Sequence, residues 1–207
     1  MTKPFSSRFD QNDLIIEDQK VLYDGFFQMQ SYRFRHKLFQ GGWSDSIQRE
    51  VFERGDAVVV LPYDPIRDQV VLIEQLRLPA TGKSPSPWLL ELVAGMIDTD
   101  QTPEQVALRE LHEETGIQAS QAVPIYQFLP SPGGCSELLH LYWVEVDATQ
   151  AVGVHGKPDE NEDIRVFAMA REEAFALLAS GHINNGATML GLQWLELNHR
   201  RLRGEAQ

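Results

Sequence analysis

A single cysteine, Cys135, among 207 residues leaves no intramolecular disulfide and no thiolate cluster for structural zinc. Any bound metal must therefore sit on oxygen ligands. No uninterrupted apolar run approaches the roughly 18 residues that cross a bilayer, and residues 1–12 have no apolar stretch of signal-peptide type. A cytoplasmic protein without a membrane partner is expected. Basic residues are scarce as well. The 18 Lys and Arg stand against 30 Asp and Glu, and the formal net charge of −12 repels nucleic acid and anionic membranes. A small phosphate ligand can still bind where local arginines or a divalent cation reverse the sign. There is no phosphate-cradling P-loop, no dinucleotide-binding glycine fingerprint, no internal repeat and no Ser/Gly linker.

What is present is ordinary in bulk: 43% hydrophobic and 23% charged residues, in a chain long enough for one large domain with a small extra lobe. Between Phe26 and Phe39, Tyr32, Phe34, His36 and Leu38 share one parity; Gly41-Gly42 breaks the run before Ile47 to Arg54. That pattern predicts a small antiparallel sheet, a lobe over residues 1–54, with the main domain at 55–207. Strands are expected at Ala57–Leu61, Val70–Glu74, Trp88–Ala94, Val123–Phe128, Leu138–Val146 and Ile164–Met169, and helices at Glu172–Ala179 and Ala187–Arg201. The polar stretch Gly153–Asp163 reads as a mobile loop. Strand runs with segregated helices imply an α+β sandwich with a mixed sheet rather than a doubly wound one.

The segment from Gly95 to Ile117 concentrates the chemistry. Thr102 is an expected N-cap, Pro103 suits the first helical position, Gln105 completes a capping box and Gly116 stops the helix. On that helix Ala107, Leu108, Leu111 and Thr115 form the stripe that faces the sheet, while Glu110 and Glu114 stack one turn apart with Glu113 beside them. Like charges at that spacing cost a few tenths of a kcal/mol, and a hard divalent cation is the natural compensation. Taken alone, paired glutamates on a helix are more often a solvated face. His112-Glu113-Glu114 opens like a zinc-protease motif, yet no second histidine follows at the required spacing. Cys135 with His140 is a poor nucleophile–base pair, because a lone cysteine beside a glycine turn is usually inert.

The whole segment resembles the Nudix box, whose pattern is Gly, five residues, Glu, seven residues, Arg-Glu, an aliphatic residue, any residue, Glu-Glu, any residue, Gly and an aliphatic residue. Gly95, Arg109, Glu110, Leu111, Glu113, Glu114, Gly116 and Ile117 match at the right spacing. Gln101 stands where the pattern has its first glutamate; in the family that position looks mainly structural, and Glu104 is a partial substitute. The resemblance runs along nearly the full chain to the bacterial ADP-ribose pyrophosphatase branch. Its marks include Leu22 to Phe27, Arg49 to Gly55, Glu74 to Arg77, Glu91 to Met96, Ser131 to Gly134 and Asp159 to Asp163, with Pro132 fifteen residues past Ile117.

The resemblance implies a Nudix-type α/β/α sandwich plus an N-terminal antiparallel sheet, swapped between the subunits of a homodimer. It implies two or three Mg²⁺ ions, replaceable by Mn²⁺, on Glu110, Glu114, the Ala94 carbonyl and Glu162, with Glu113 a further ligand. Glu160 is the implied general base; composition alone reads Asp159–Asp163 as a solvated acidic run. Arg77 is the expected phosphate clamp, or equally a surface salt bridge. Phe26 is expected to stack on adenine, with Arg49, Glu50 and Arg54 in the same pocket. Otherwise Phe26 is a core or interface residue and the charged side chains form a surface ion-pair strand. Ser131 and Glu137 look like ribose contacts, with turn chemistry as the plain alternative. The implied reaction is hydrolysis of ADP-ribose to AMP and ribose 5-phosphate. Rivals are another nucleoside diphosphate sugar, such as ADP-glucose or GDP-mannose, and a non-catalytic ADP-ribose-binding protein.

Overall fold

The computed structural model describes residues 6–98 and 100–205, with only the backbone of Glu160. It divides into two compact units: residues 1–54 with 131–137, and residues 55–130 with 138–207.

The first unit is a three-stranded antiparallel sheet of β1 (Leu14–Asp24), β2 (Gln28–His36) and β3 (Ile47–Glu53) in the order β1-β2-β3. β1 is a strand that alternation did not single out. Ten of its eleven residues are exposed, so no buried parity betrays it. Within this unit Phe27 meets Phe26 edge-on at 4.7 Å and Phe52 at 5.2 Å. The segment 131–137 joins through the backbone, since Phe52 N–H donates to Gly134 O at 2.8 Å and Ser136 N–H to Phe52 O at 3.2 Å.

The second unit is built on a mixed sheet. Its strands are β4 (Ala57–Asp64), β5 (Gln69–Leu76), β6 (Trp88–Glu91), β7 (Val93–Met96), β8 (Val123–Phe128), β9 (Leu139–Glu145), β10 (Val154–His155) and β11 (Ile164–Ala170). The order is β10-β11-β5-β4-β9-β8, with β6 on β5 and β7 on β4; only β4 and β9 run parallel. Alternation along β4 and β5 divides the core. Val58, Val60, Val71 and Ile73 face helix α1 (Pro103–Thr115) through Val106, Ala107 and Leu111. Ala57, Val59, Leu61, Val70 and Leu72 face α2 (Arg171–Ala179) and α3 (Gly186–Leu202) through Ala174, Leu192 and Leu195. Each fully buried Leu or Val contributes about 1.5–3 kcal/mol, so both helical layers are held by the same pleat. The architecture is the α/β/α sandwich with a mixed sheet.

Two expectations change in detail. Trp88–Ala94 is two strands, because the Leu92 N–H leaves the sheet and donates to Thr188 Oγ1 on α3 at 3.0 Å. The stretch Gly153–Asp163 contains β10, paired with β11, and a short 3-10 turn over Pro158–Glu160.

Candidate active site

The acidic helix is set by its ends. Thr102 Oγ1 accepts from the Gln105 N–H at 3.3 Å, Gln105 Oε1 accepts from the Thr102 N–H at 2.9 Å, and Gly116 closes the helix at φ 72°, where a side chain would strain the backbone. Between these caps Glu110, Glu113 and Glu114 occupy the last two turns, where the helix dipole is unfavourable to negative charge. Cations must answer them.

Arg109 answers two. Its Nη1 donates to Glu113 Oε2 at 2.9 Å, and its Nη2 lies 2.9 Å from Glu110 Oε1 as an ion pair without hydrogen-bond alignment. Its Nε donates to Gln101 Oε1 at 3.0 Å. The amide at position 101 thus supplies an oxygen acceptor to the arginine, as a glutamate there would. Lys157 approaches Glu113 from the β10 side, with Nζ 3.1 Å from Oε2, and its backbone N–H donates to Glu162 Oε2 at 3.0 Å.

Glu110 lies against β7. A Cβ on Gly95 would come within 2.0 Å of Glu110 Cδ, so a side chain at the first glycine of the motif would push the Glu110 carboxylate aside. Glu114 is 4% exposed, and its Oε2 accepts from the Ala94 N–H at 3.2 Å. Burial pushes the Glu110 carboxyl up to about 7, against the charge of Arg109 and together with that of Glu113. Burial likewise holds Glu114 well above the usual carboxylate range; the Ala94 N–H opposes this, Glu110 and Glu162 add to it, and Arg77 opposes it. The charge of Glu162 thus bears on both Glu110 and Glu114. Among the described residues no three acidic, His or Cys side chains already converge as a metal cage. Carboxylates that burial raises, as it does Glu110 and Glu114, nevertheless fit a hard dication, which prefers a few carboxylates plus water and phosphate oxygens.

Arg77 stands just past β5, and its Nε donates to the buried Glu91 carboxylate at 2.7 Å. Sequence reasoning gave Glu91 no role. It also missed Asn185, which donates to Glu91 Oε1 at 2.6 Å; the Asn-Gly before the apolar run of α3 was the available sign of a cap. The Glu160 side chain lies outside the described part of the structure.

The remaining candidates lie in the first unit. Arg54 Nε is 3.3 Å from Glu137 Oε1, and its guanidinium is 5.4 Å from the centre of the Phe27 ring. Phe26 is 84% exposed in the β1–β2 turn. Arg49 and Glu50 are consecutive on β3 and project from opposite faces, and Arg49 Nη1 donates to the Gln48 carbonyl at 2.7 Å. Ser131 begins the turn in which its carbonyl accepts from Gly134 N–H at 3.2 Å and Cys135 N–H at 3.0 Å.

A family model described as NUDIX domain matches residues 53–188. An ADP-ribose pyrophosphatase of Escherichia coli (strain K12) is 51% identical over 197 residues, covering 95% of this chain and 94% of the relative. One of Haemophilus influenzae is 46% identical, covering 94% and 91%. A GDP-mannose pyrophosphatase of Yersinia enterocolitica is 34% identical, covering 86% and 93%. A solved structure described as an ADP compounds hydrolase shares the fold, with TM-score 0.67 and 18% identity over 94% of this chain and all of that one.

Proposed function

Because the chain belongs to the Nudix family and is a hydrolase, we propose that it cleaves the diphosphate of ADP-ribose to AMP and ribose 5-phosphate, in the cytoplasm and with Mg²⁺. The observation that carries this reading is the pair of carboxylates one turn apart on a capped helix, Glu110 half-buried and Glu114 buried, both raised by burial. Full-length similarity to two ADP-ribose pyrophosphatases supports the substrate.

Glu110, Glu114, Glu162 and the Ala94 carbonyl would hold two or three Mg²⁺ ions, with Glu113 able to join them and Mn²⁺ a substitute. Such ions neutralise the diphosphate and make bound water a better nucleophile. Arg77 binds the phosphate oxygens through its planar fork. Glu160 takes the proton of the water as its oxygen bonds to phosphorus and the bridging phosphorus–oxygen bond breaks. In the first unit Phe26 offers a stacking face to adenine, Arg49, Glu50 and Arg54 contact the nucleotide, and Ser131 and Glu137 contact the terminal ribose. The opposite faces of Arg49 and Glu50 fit a site that takes them from different subunits.

The same unit supports a homodimer with exchanged N-terminal sheets. Leu14, Ile15, Ile16, Val21, Leu22 and Tyr23 are all exposed on β1, an apolar concentration that a second copy would cover.

The test is product analysis of ADP-ribose hydrolysed in ¹⁸O-labelled water, with and without chelator. AMP and ribose 5-phosphate are expected, one carrying the label, with no product when the metal is removed. Faster turnover of GDP-mannose would overturn the substrate assignment. Binding of ADP-ribose without AMP release would make the chain a sensor.

A further inference from the structure

We propose that Glu91 is a positioning residue for Arg77, and that Asn185 at the start of α3 fixes Glu91 in turn. The inference rests on the reading of Arg77 as the phosphate contact.

Glu91 ends β6 and is 3% exposed. A carboxylate so removed from water must have its lone pairs filled by donors. Three side chains fill them: Gln75 Nε2 at 3.2 Å and Arg77 Nε at 2.7 Å on Oε2, and Asn185 Nδ2 at 2.6 Å on Oε1. Gln75 and Arg77 are two residues apart on the extended line of β5, so they approach the carboxylate from one side while Asn185 closes the other.

The consequence falls on the arginine. Its Nε edge is committed to Glu91, and among the described residues neither Nη donates a hydrogen bond. The side chain is 42% exposed, so the outer fork is what it offers to a ligand. A guanidinium recognises phosphate through the plane and direction of that fork, and an anchor on Nε sets both.

Asn185 serves two elements at once. Its Oδ1 accepts from the Thr188 N–H at 3.0 Å and caps α3, while its Nδ2 holds Glu91. Thr188 Oγ1 accepts from the Leu92 N–H at 3.0 Å. The first turn of α3 therefore pins two consecutive residues, Glu91 and Leu92, just ahead of Ala94 and Gly95. A helix contributing no ligand of its own sets the direction of the clamp.

A side chain that acts by orienting Arg77 adds binding common to the ground and transition states, so its loss raises KM more than it lowers kcat. The experiment measures KM and kcat for ADP-ribose, and thermal midpoints, for the full-length wild type, E91Q, R77A and the double variant E91Q/R77A. We expect E91Q to raise KM about tenfold when Arg77 is present and by less than about twofold in the R77A background, the signature of a coupled pair. N185D provides a second route. It keeps an oxygen to cap α3 but sets a carboxylate against Glu91, and its effect on KM should likewise disappear in the R77A background. Should E91Q fail to fold, N185D decides. Effects that multiply with R77A, or a KM that stays put in E91Q and N185D, overturn the inference. If R77A itself leaves KM unchanged, the phosphate contact fails and its positioning falls with it.

Discussion

Glu110→Gln should stabilise the metal-free protein at alkaline pH while removing a proposed metal ligand. The Glu110 carboxyl is raised from 4.5 to about 7, and its side chain is only 12% exposed. At roughly 1.4 kcal/mol per pKa unit, a rise of that size amounts to at most about 3 kcal/mol. Its residual hydration makes about 2 kcal/mol a working figure. The sign follows from linkage: a folded-state pKa above the unfolded value gives stability that is whole below about 4.5 and lost as pH rises through about 7. The amide has no such loss. Thermal melts of wild type and E110Q in chelator at pH 5 and pH 8.5 should therefore diverge. The variant gains roughly 4–8 °C over wild type at the higher pH, at about 2–4 °C per kcal/mol for a chain of this size. Adding Mg²⁺ at pH 8.5 should close that gap by stabilising the wild type, since metal binds the ionised form. A difference between the two proteins that does not change with pH would show that burial does not strain the ionised carboxylate.

Three further outcomes are expected. Glu114→Gln should preserve the fold, read by circular dichroism, and lower kcat for ADP-ribose by about a hundredfold or more, a loss in the range of general-base and metal-ligand removal. Gly95→Ala should leave stability in chelator within about 1 kcal/mol of wild type, because Glu110 Cδ, the atom its Cβ would meet at 2.0 Å, belongs to a side chain that can swing away; denaturant titration reads this, and activity should drop as Glu110 is displaced. Gln101→Glu should change stability by less than about 1 kcal/mol and turnover by less than about twofold, since the amide oxygen already meets Arg109 Nε at 3.0 Å. A large gain in turnover on that substitution would mean that the amide is a defect.

Features decided within a few residues were readable from the sequence. The caps of α1 depend on Thr102, Gln105 and Gly116 and nothing further away. β4, β5, β9 and β11 announced themselves because one parity meets α1 and the other meets α2 and α3, whereas the two-residue β10 read as part of a loop. β1 escaped because its side chains are exposed on both faces, so alternation there has nothing to report. The break between β6 and β7 depends on Thr188, and the hold on Glu91 depends on Asn185; both partners lie more than ninety residues away. The acidic ladder was visible as a spacing. That Glu110 and Glu114 are buried enough to resist ionisation, and that Arg109 and Lys157 stand beside this helix face, required the fold.

The first unit is assembled from two stretches of chain, residues 1–54 and the heptapeptide 131–137. The polypeptide thus crosses between the units three times, after positions 54, 130 and 137. No single cut can release either unit, and a protein begun at residue 55 would keep a fragment of the one it was meant to discard. In such a truncation Gly134 O would lose the Phe52 amide that it accepts from in the intact sheet. Anyone dissecting this enzyme should excise both stretches and rejoin Pro130 to Leu138, or leave it whole.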